Sequence, residues 1–556
     1  MKIKMEDLTL REKVGQLLMV KASGLIQRYE NGKVVDNTNA EIAEILKNRP
    51  FGSIWAHGYV KMQNVNLAEE ISSNSAPMAE HKKWIDSLNQ SLRVPLLAGM
   101  DCENGTTSFS DGFKTVSGFS IGAANDEQAT FDLCAGIARE MRIAGGNWRW
   151  SPVVDIHGRF SAGLGRGYST DPEKLHRLSL AALKGMESEG VAGTIKHFPG
   201  ADPYNFRDSH FVTTYNTLTL EEWEEGPGNV FKRLIDAGTP TIMLSHGAFP
   251  AVDDTMINGR YLPTTCSKKI VDGLLRKKLG FEGVVITDAM EMTGLRAFGS
   301  FEEICIMAIN AGADVLLGLL PDEFDPIYNA VLDGRISMER INESCARVLA
   351  LKEKLGLFNE EEREIDFESA RARTIAANTK IAEKSITLLR DRNQMLPVKK
   401  ENIKKVGIMC TSHAPSTIKE LEVMKAEFEK RGAEVELWDS KGLKYGSLKQ
   451  QIDDKDLVIY AGFVAMHQPL GMPCLFHDEL RPYHFAFSYG KEKILGLSMG
   501  YPYLHFDSME GADTFVNIYS PSANSQKAFV RAVYGEIPFT TESPCDIEPK
   551  RRVVYC

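Results

Sequence analysis

The sequence predicts an α/β protein in which a (β/α)8 TIM-like barrel is followed by a three-layer α/β/α sandwich. Eight short apolar runs alternate with helix-like stretches over the first two thirds of the chain. Polar side chains follow several of these runs, and a second alternation begins near Lys405. Short apolar runs bounded by turns are typical of buried strands, and eight of them alternating with helices indicate a barrel.

The predicted barrel strands follow one another in this order: Gln16 to Val20, Gly52 to Trp55, Pro95 to Met100, Asn147 to Val154, Val191 to His197, Pro240 to Ser245, Gly283 to Thr287 and Ala313 to Leu317. Helical periodicity is clearest from Ile270 to Leu279, where Gly280 is a suitable C-cap.

The second domain begins after a charged stretch from Asn359 to Glu364, which is typical of a solvated connection. A long helix is predicted near Arg371 to Ile386, and strands are predicted to begin near Lys405, Val435, Leu457 and Lys493. We therefore expect a barrel domain over residues 1–370 and an α/β/α sandwich over residues 385–556.

Composition excludes several classes of protein. The 65 basic and 75 acidic residues give a net charge of −10, which argues against a nucleic-acid partner and against an anionic membrane surface. No apolar run is long enough to span a bilayer, and the amino terminus turns polar at once, so cytoplasmic residence is expected. The sequence leaves a homodimer open.

Cofactors are not expected either. The 9 cysteines are dispersed without Cys-x-x-Cys spacing, which favours reduced thiols and indicates no zinc site. The glycines of the second domain form neither a phosphate loop nor a dinucleotide fingerprint. We therefore expect no metal and no nucleotide cofactor.

The segment most informative about function is Lys196 to Gly200, with Asp208-Ser209-His210 close behind it. Lys196 and His197 lie at the carboxyl end of the fifth predicted strand, so the residues after them form a loop. A carboxylate two residues before an imidazole can orient the ring and raise its basicity, as an acid/base group requires. A chance surface pair gives the same spacing, and the pattern alone leaves that alternative open.

Asp288 follows the seventh predicted strand directly. Barrels place their chemistry at the carboxyl ends of strands, although an aspartate there is also a good helix N-cap. Asp101, Asp155 and His246 come at further strand ends, so we expect them near the same mouth; for Asp155 and His246 a mainly structural role is expected.

These segments resemble glycoside hydrolase family 3, in particular its two-domain β-N-acetylglucosaminidase branch, which carries Lys-His-Phe-Pro-Gly, Asp-Ser-His and a Thr/Ser-Asp strand end. Further segments carry the likeness over nearly the whole chain: Asn147 to Asp155, Arg166 to Pro172, Ser245 to Ala251 and Gly535 to Thr540.

The resemblance implies a retaining β-glycosidase for terminal β-linked sugars, of the β-N-acetylhexosaminidase kind. It implies that Asp288 is the nucleophile, that His210 is the acid/base, and that Asp208 orients His210. A histidine with a reference pKa of about 6.5 suits that acid/base role near neutral pH. The resemblance also implies a set of sugar-binding residues, which are Asp101, Arg166, Lys196 and His197. From the residues alone, Lys196 lies at a buried strand end and therefore needs a charge partner. Arg166 could stabilise loops rather than bind sugar.

The chain departs from the branch in two places. The usual Pro-Gly-His-Gly-Asp becomes Pro199-Gly200-Ala201-Asp202, followed by bulky residues up to Arg207, and no arginine occurs between Arg93 and Arg139, where the branch has arginines that help hold the sugar. We therefore expect an altered loop and altered sugar specificity.

Two other functions stay open. A β-glycoside phosphorylase would use the same nucleophile but would deliver phosphate instead of water to the glycosyl-enzyme. A histidine acid/base is compatible with this alternative, because an imidazole repels the phosphate anion less than a carboxylate does. A noncatalytic sugar-binding protein is the third alternative, although mere binding needs no acid/base dyad.

Overall fold

The computed structural model describes residues 3–56, 75–159, 161–205, 207–359, 365–412, 421–439, 445–464 and 490–547. The chain forms two compact units. The first comprises residues 1–114, 131–156 and 179–374, and the second comprises residues 115–130, 157–178 and 375–556. Two segments from the amino-terminal half thus belong to the second unit. The limits 1–370 and 385–556 stay a prediction, and the charged stretch lies outside the described residues from residue 360 onwards.

The strands of the first unit, in chain order, are β1 (Leu18–Lys21), β2 (Gln27–Glu30), β3 (Lys33–Asp36), β4 (Ser53–Trp55), β5 (Leu97–Met100), β6 (Trp148–Arg149), β7 (Ala192–Phe198), β8 (Thr241–Leu244), β9 (Met256–Ile257), β10 (Arg260–Tyr261), β11 (Val284–Ala289) and β12 (Val315–Leu319). Eight of them close a parallel barrel in the order β1-β12-β11-β8-β7-β6-β5-β4. Each predicted barrel strand overlaps one of these, so the predicted barrel is confirmed.

The first thirteen helices along the described chain are α1 (Leu10–Gln16), α2 (Ala22–Ile26), α3 (Asn39–Asn48), α4 (Met78–Asn89), α5 (Gly118–Ala124), α6 (Glu127–Ile143), α7 (Pro172–Ser188), α8 (Leu220–Glu225), α9 (Pro227–Asp236), α10 (Phe301–Ala311), α11 (Phe324–Leu332), α12 (Met338–Lys354) and α13 (Phe367–Lys384). The segment Lys269–Lys278 forms a π-helix, and Gly280 after it has a φ of 76°, the left-handed conformation expected of a C-cap glycine.

Several helices begin where the sequence supplies a reciprocal cap. A threonine or serine accepts a hydrogen bond from the backbone N–H three residues on, while a glutamate at that third position accepts one from the N–H of the capping residue. The pairs are Thr9 with Glu12, Thr38 with Glu41, Thr219 with Glu222 and Ser300 with Glu303. These local signals fix the starts of helices that pack around the barrel.

Large apolar side chains fill the barrel interior, among them Met19, Leu97, Trp148, Trp150 and Ile286. The indole N–H of Trp148 donates to the hydroxyls of Thr194 and Thr241 across the barrel, at 2.9 and 3.1 Å. A dense interior of this kind fixes the relative heights of the strands, and therefore of the side chains at their carboxyl ends.

The second unit is built on a six-stranded sheet of β13 (Thr387–Asp391), β14 (Lys405–Ser412), β15 (Glu434–Asp439), β16 (Leu457–Phe463), β17 (Ile494–Ser498) and β18 (Thr514–Asn517), in the order β13-β18-β17-β16-β14-β15. Only β13 runs antiparallel to its neighbour among these pairings. Its helices include α14 (Glu422–Glu429), α15 (Tyr445–Asp453), α16 (Leu504–Asp507) and α17 (Ala523–Val533). The α/β fold class is confirmed here as well, while β13 and β18 were not predicted.

The cysteines within the described ranges are all free and buried: Cys102, Cys134, Cys266, Cys305, Cys345, Cys410 and Cys545. Among the helices of the described residues, none combines the length and the apolar character that crossing a membrane requires.

Candidate active site

The candidate site lies at the carboxyl ends of neighbouring barrel strands. β5, β6, β7, β8 and β11 are consecutive in the barrel and parallel, so their carboxyl ends share one rim. In that order they are followed by, or end in, the predicted polar residues Asp101, Asp155, Lys196 with His197, His246, and Asp288. The fold therefore brings these residues to one mouth.

Lys196 is a buried charge, with 1% of its surface exposed. Its Nζ lies 2.7 Å from Oε1 of Glu103 and 3.5 Å from Oδ1 of Asp101. A buried ammonium requires such partners. The nearer partner, Glu103, was not predicted as a site residue, although it stands two residues after Asp101 in the same strand-end loop.

The loop that carries these two carboxylates is held by Arg149. Arg149 is almost fully buried, and its guanidinium donates twice to the carbonyl of Cys102, at 3.2 and 2.8 Å. Cys102 has a φ of 42°, a conformation that non-glycine residues adopt rarely. The arginine thus anchors the turn that aims Asp101 and Glu103.

His197 is oriented by Asp155. Nδ1 of His197 lies 2.6 Å from Oδ2 of Asp155, and Oδ1 of the same carboxylate accepts the backbone N–H groups of His197 at 3.3 Å and Ala201 at 2.8 Å. Nε2 of His197 is then directed at Asp288, 3.8 Å from its Oδ2. Asp155 therefore fixes both the ring and the loop after it, and its expected structural role includes the orientation of a site residue.

Asp288 accepts the N–H of Ala289 at 2.8 Å. Burial alone would raise the pKa of its carboxyl group. The opposing effects together are larger and hold that pKa at about 2: they are the charges of the His197, His246 and His210 imidazoles and then the hydrogen bond from the N–H of Ala289. A carboxylate kept ionised in a largely enclosed position is suited to nucleophilic attack.

His246 supports the backbone beside Asp288. Its ring is buried; Nε2 donates to the carbonyl of Ala289 at 3.0 Å, and Nδ1 lies 2.7 Å from Oγ1 of Thr265. Burial lowers the pKa of His246, while the charge of Asp288 opposes that shift. Both ring nitrogens are thus engaged by protein atoms, in keeping with the structural role expected of His246.

Asp208 and His210 form the predicted pair. Nδ1 of His210 lies 2.6 Å from Oδ1 of Asp208, and the same oxygen accepts the backbone N–H of His210 at 2.9 Å. Asp208 is buried, whereas 47% of the His210 side chain is exposed. The carboxylate therefore fixes the ring and leaves it accessible from outside.

Asp202 stabilises the conformation of the altered segment that precedes this pair. Its carboxylate is buried and accepts the N–H of Tyr204 at 2.7 Å, the N–H of Thr217 at 2.9 Å and the Thr217 hydroxyl at 2.6 Å. Tyr204 itself is exposed, and Phe206 lies outside the described residues. Asp202 is thus a structural carboxylate of the loop.

Arg166 belongs to the second unit, apart from the other predicted site residues, which belong to the first. Its backbone packs closely on α5, because a Cβ at Gly118 would lie 2.6 Å from the carbonyl oxygen of Arg166. A role of Arg166 in sugar binding stays a prediction. No group of three or more His, Cys, Asp or Glu residues in the described ranges could hold a metal ion.

A barrel mouth that combines a carboxylate with an aspartate-histidine pair holds groups suited to nucleophilic and acid/base chemistry. The family model of the glycosyl hydrolase family 3 N-terminal domain matches residues 9–351. The chain therefore belongs to glycoside hydrolase family 3, and it is a glycosidase.

Relatives match different shares of the chain. A β-N-acetylglucosaminidase/β-glucosidase of Cellulomonas fimi is 26% identical over 506 residues, which are 84% of this chain and 86% of that protein. A β-hexosaminidase of Haemophilus influenzae is 33% identical over 243 residues, which are 42% of this chain and 67% of that protein. Among solved structures, the β-glucoside phosphorylase BglX bound to 2FGlc has a TM-score of 0.80 at 24% identity and covers 98% of this chain and 95% of its own.

Proposed function

We propose that this protein is a retaining β-N-acetylhexosaminidase that forms a glycosyl-enzyme on Asp288 and uses His210 as acid/base. The observation that carries the proposal is the position of the Asp288 carboxylate at the barrel mouth, where Nε2 of His197 lies 3.8 Å from its Oδ2 and neighbouring imidazoles lower its pKa. The Asp208–His210 pair, with its 2.6 Å contact, supplies a second group of the kind that retaining cleavage requires.

In the first step, an Asp288 oxygen attacks the anomeric carbon while the bond to the leaving oxygen breaks. The proton for that oxygen comes from Nε2 of His210, because Nδ1 of the ring donates to Asp208. Asp208 stabilises the imidazolium before the transfer and holds the ring in one orientation.

In the second step, neutral His210 takes a proton from water through Nε2, and the water oxygen attacks the anomeric carbon. The ester bond to Asp288 breaks and the carboxylate is released, while the imidazolium re-forms. Two inversions at the same carbon retain the β configuration.

Sugar binding is proposed for Asp101, Lys196 and His197, with Arg166 as a further member. Lys196 can donate to sugar hydroxyls while its charge is balanced by Asp101 and Glu103. All three proposed residues of the first unit already have a charged partner, since Asp101 contacts Lys196 and His197 contacts Asp155, so they are positioned before the sugar binds.

The N-acetylhexosaminide substrate rests on the names of the relatives and on the Asp-Ser-His motif. The missing arginines and the Ala201 to Arg207 replacement argue for a shifted preference among β-linked sugars. A panel of aryl β-N-acetylglucosaminides, β-glucosides, β-xylosides and β-galactosides measures that preference directly.

Phosphorolysis is the second candidate, because the proposed acid/base is an imidazole rather than a carboxylate and a similar fold belongs to a protein named a β-glucoside phosphorylase. Phosphate would then replace water in the second step and give a sugar 1-phosphate.

The testing experiment compares wild type with His210→Ala on two aryl β-N-acetylglucosaminides, one with a good and one with a poor leaving group, with and without phosphate. We expect kcat/KM to fall about 10²-fold or more for the poor leaving group and far less for the good one. Equal losses on both substrates would remove the acid role from His210. Formation of sugar 1-phosphate at a rate that exceeds hydrolysis would select the phosphorylase.

A further inference from the structure

The loop that carries His210 is bonded to the segment that follows Asp288. The carbonyl oxygen of His210 accepts two hydrogen bonds from Thr293, from its backbone N–H at 3.0 Å and from its Oγ1 at 2.7 Å. Thr293 opens the short 3₁₀ helix Thr293–Ala297, only five residues after Asp288 in the chain. The same segment therefore connects the proposed nucleophile to the backbone of the proposed acid/base.

The next residue, Gly294, lies directly under the loop. A Cβ at this position would stand 2.8 Å from the carbonyl oxygen of Ser209 and 2.7 Å from that of Val212. Both atoms belong to the backbone, so neither can rotate away as a flexible side chain would. The loop thus packs directly against the backbone at residue 294, where the Cβ of any residue other than glycine would clash with it.

The loop is also tied internally. The carbonyl oxygen of Asp208 accepts the N–H groups of Phe211 and Val212 at 3.1 Å each, while its carboxylate holds the ring of His210. A movement of the loop therefore moves Asp208 and His210 together. The contact with Thr293 and Gly294 sets where this rigid turn stands relative to Asp288.

We infer that Thr293 and Gly294 form a clamp that positions His210 for proton transfer at the anomeric carbon. This inference rests on the proposed acid/base role of His210. Thr293 acts through the backbone of the loop, so it is a positioning residue for the same reaction. Loss of the hydroxyl donor lowers the fraction of enzyme in which the imidazole stands at the leaving oxygen.

The test uses Thr293→Val, which keeps the shape and the backbone N–H but removes the hydroxyl, and Thr293→Ser, which restores it. Because kcat/KM reports glycosylation, it depends on the acid only when the leaving group is poor. For the poor aryl β-N-acetylglucosaminide we expect kcat/KM of Thr293→Val to fall about three- to tenfold, the range for one neutral hydrogen bond. For the substrate with the good leaving group, kcat/KM of Thr293→Val should change less than about twofold, and Thr293→Ser should match wild type on both substrates.

Gly294→Ala should show the same pattern with a larger loss of kcat/KM on the substrate with the poor leaving group, because the added Cβ displaces the loop itself.

A matched control is Thr239→Val. Thr239 is buried, and its Oγ1 donates to the carbonyl of Leu234 at the same 2.7 Å, but it precedes β8 at the opposite end of that strand from the mouth. This variant should leave the ratio of the two kcat/KM values unchanged, even if its thermal midpoint falls.

The double variant with His210→Ala completes the cycle. Once His210 is absent, Thr293→Val should cost nothing further on the poor substrate, because it acts through that ring. Equal losses on good and poor substrates, additive losses in the double variant, or wild-type values for Thr293→Val would each overturn the clamp. If His210→Ala itself fails to discriminate between leaving groups, the proposed acid role falls and the clamp falls with it.

Discussion

Lys352 offers a prediction about stability that does not depend on the reaction. It lies on α12 and is fully buried, and its Nζ donates to Oε1 of Gln16 at 2.6 Å and to the carbonyl of Gly52 at 2.7 Å. Both acceptors are uncharged. Burial therefore dominates and lowers the pKa of Lys352 from 10.5 to about 7, with only a small opposing effect from Cys345.

Proton linkage determines whether the free energy of unfolding rises or falls with pH. Between pH 7 and 10.5 the unfolded chain holds a proton on Lys352 that the folded protein largely lacks, so stability rises with pH in that window. Each unit of pKa difference is worth about 1.4 kcal/mol, and with these two pKa values the gain from pH 7 to pH 9 comes to about 2 kcal/mol. Below pH 7 both states are protonated and the contribution levels off.

Lys352→Met removes the titrating group and keeps the length of the side chain. The difference in unfolding free energy, variant minus wild type, should therefore fall by about 2 kcal/mol from pH 7 to pH 9. The constant cost of the two lost hydrogen bonds cancels in this comparison. Lys354→Met is the matched control, because Lys354 lies on the same helix but is exposed, in an ion pair with Glu187 at 2.9 Å.

Tryptophan fluorescence during urea unfolding is a suitable assay. Five of the 6 tryptophans belong to the first unit, so the signal reports mainly on the barrel: Trp55, Trp84, Trp148, Trp150 and Trp223. The reasoning would be refuted if the difference in unfolding free energy between variant and wild type stayed constant from pH 7 to pH 9, since Lys352 would then remain charged when the protein is folded.

Three further predictions concern the site. Asp288→Ala should abolish turnover and labelling by a 2-fluoro glycoside while the circular dichroism spectrum stays that of wild type, and a label found on another residue would exclude Asp288 as nucleophile. Because its carboxyl pKa is lowered to about 2, Asp288 loses its charge only as the pH falls towards that value, so the acid limb of kcat/KM should lie below about pH 4 if Asp288 sets it. Asp208→Asn should slow poor leaving groups through loss of ring orientation and imidazolium stabilisation, and an unchanged rate would leave Asp208 without a role.

The barrel could be predicted from the sequence because its strands are buried on both faces and read as continuous apolar runs. The strand predicted from Asn147 to Val154 is the instructive case, since the observed strand β6 spans only Trp148–Arg149. The residues after β6 continue beside β7 with only an isolated bridge from Val153 to Lys196, and Asp155 beyond them bonds to His197. An apolar run indicates burial, and burial here continues beyond the end of the strand.

The partners of the site residues were harder to predict. Glu103 and Asp155 bond to Lys196 and His197 over sequence separations of 93 and 42 residues, and no local pattern records such pairing. A buried lysine does require a carboxylate partner, so the two acidic residues that follow β5 could have indicated that Glu103 pairs with Lys196. In the second unit, β13 and β18 pair over a sequence separation of 128 residues, from Leu388 to Val516, and local patterns cannot record that pairing either.

The charges at the mouth bear on which sugars can bind. In the first unit, the ammonium of Lys196 is shared by the carboxylates of Asp101 and Glu103, and Asp155 already accepts the hydrogen bond of His197. A sugar that itself carries a carboxylate or sulfate would meet more negative than positive groups here, and like charges in an enclosed site repel strongly. Hydroxyl and amide groups, in contrast, can both donate to these carboxylates and accept from Lys196. With the sugar-binding role proposed for Asp101 and Lys196, we expect a preference for uncharged sugars, with discrimination among them left to hydrogen-bond geometry.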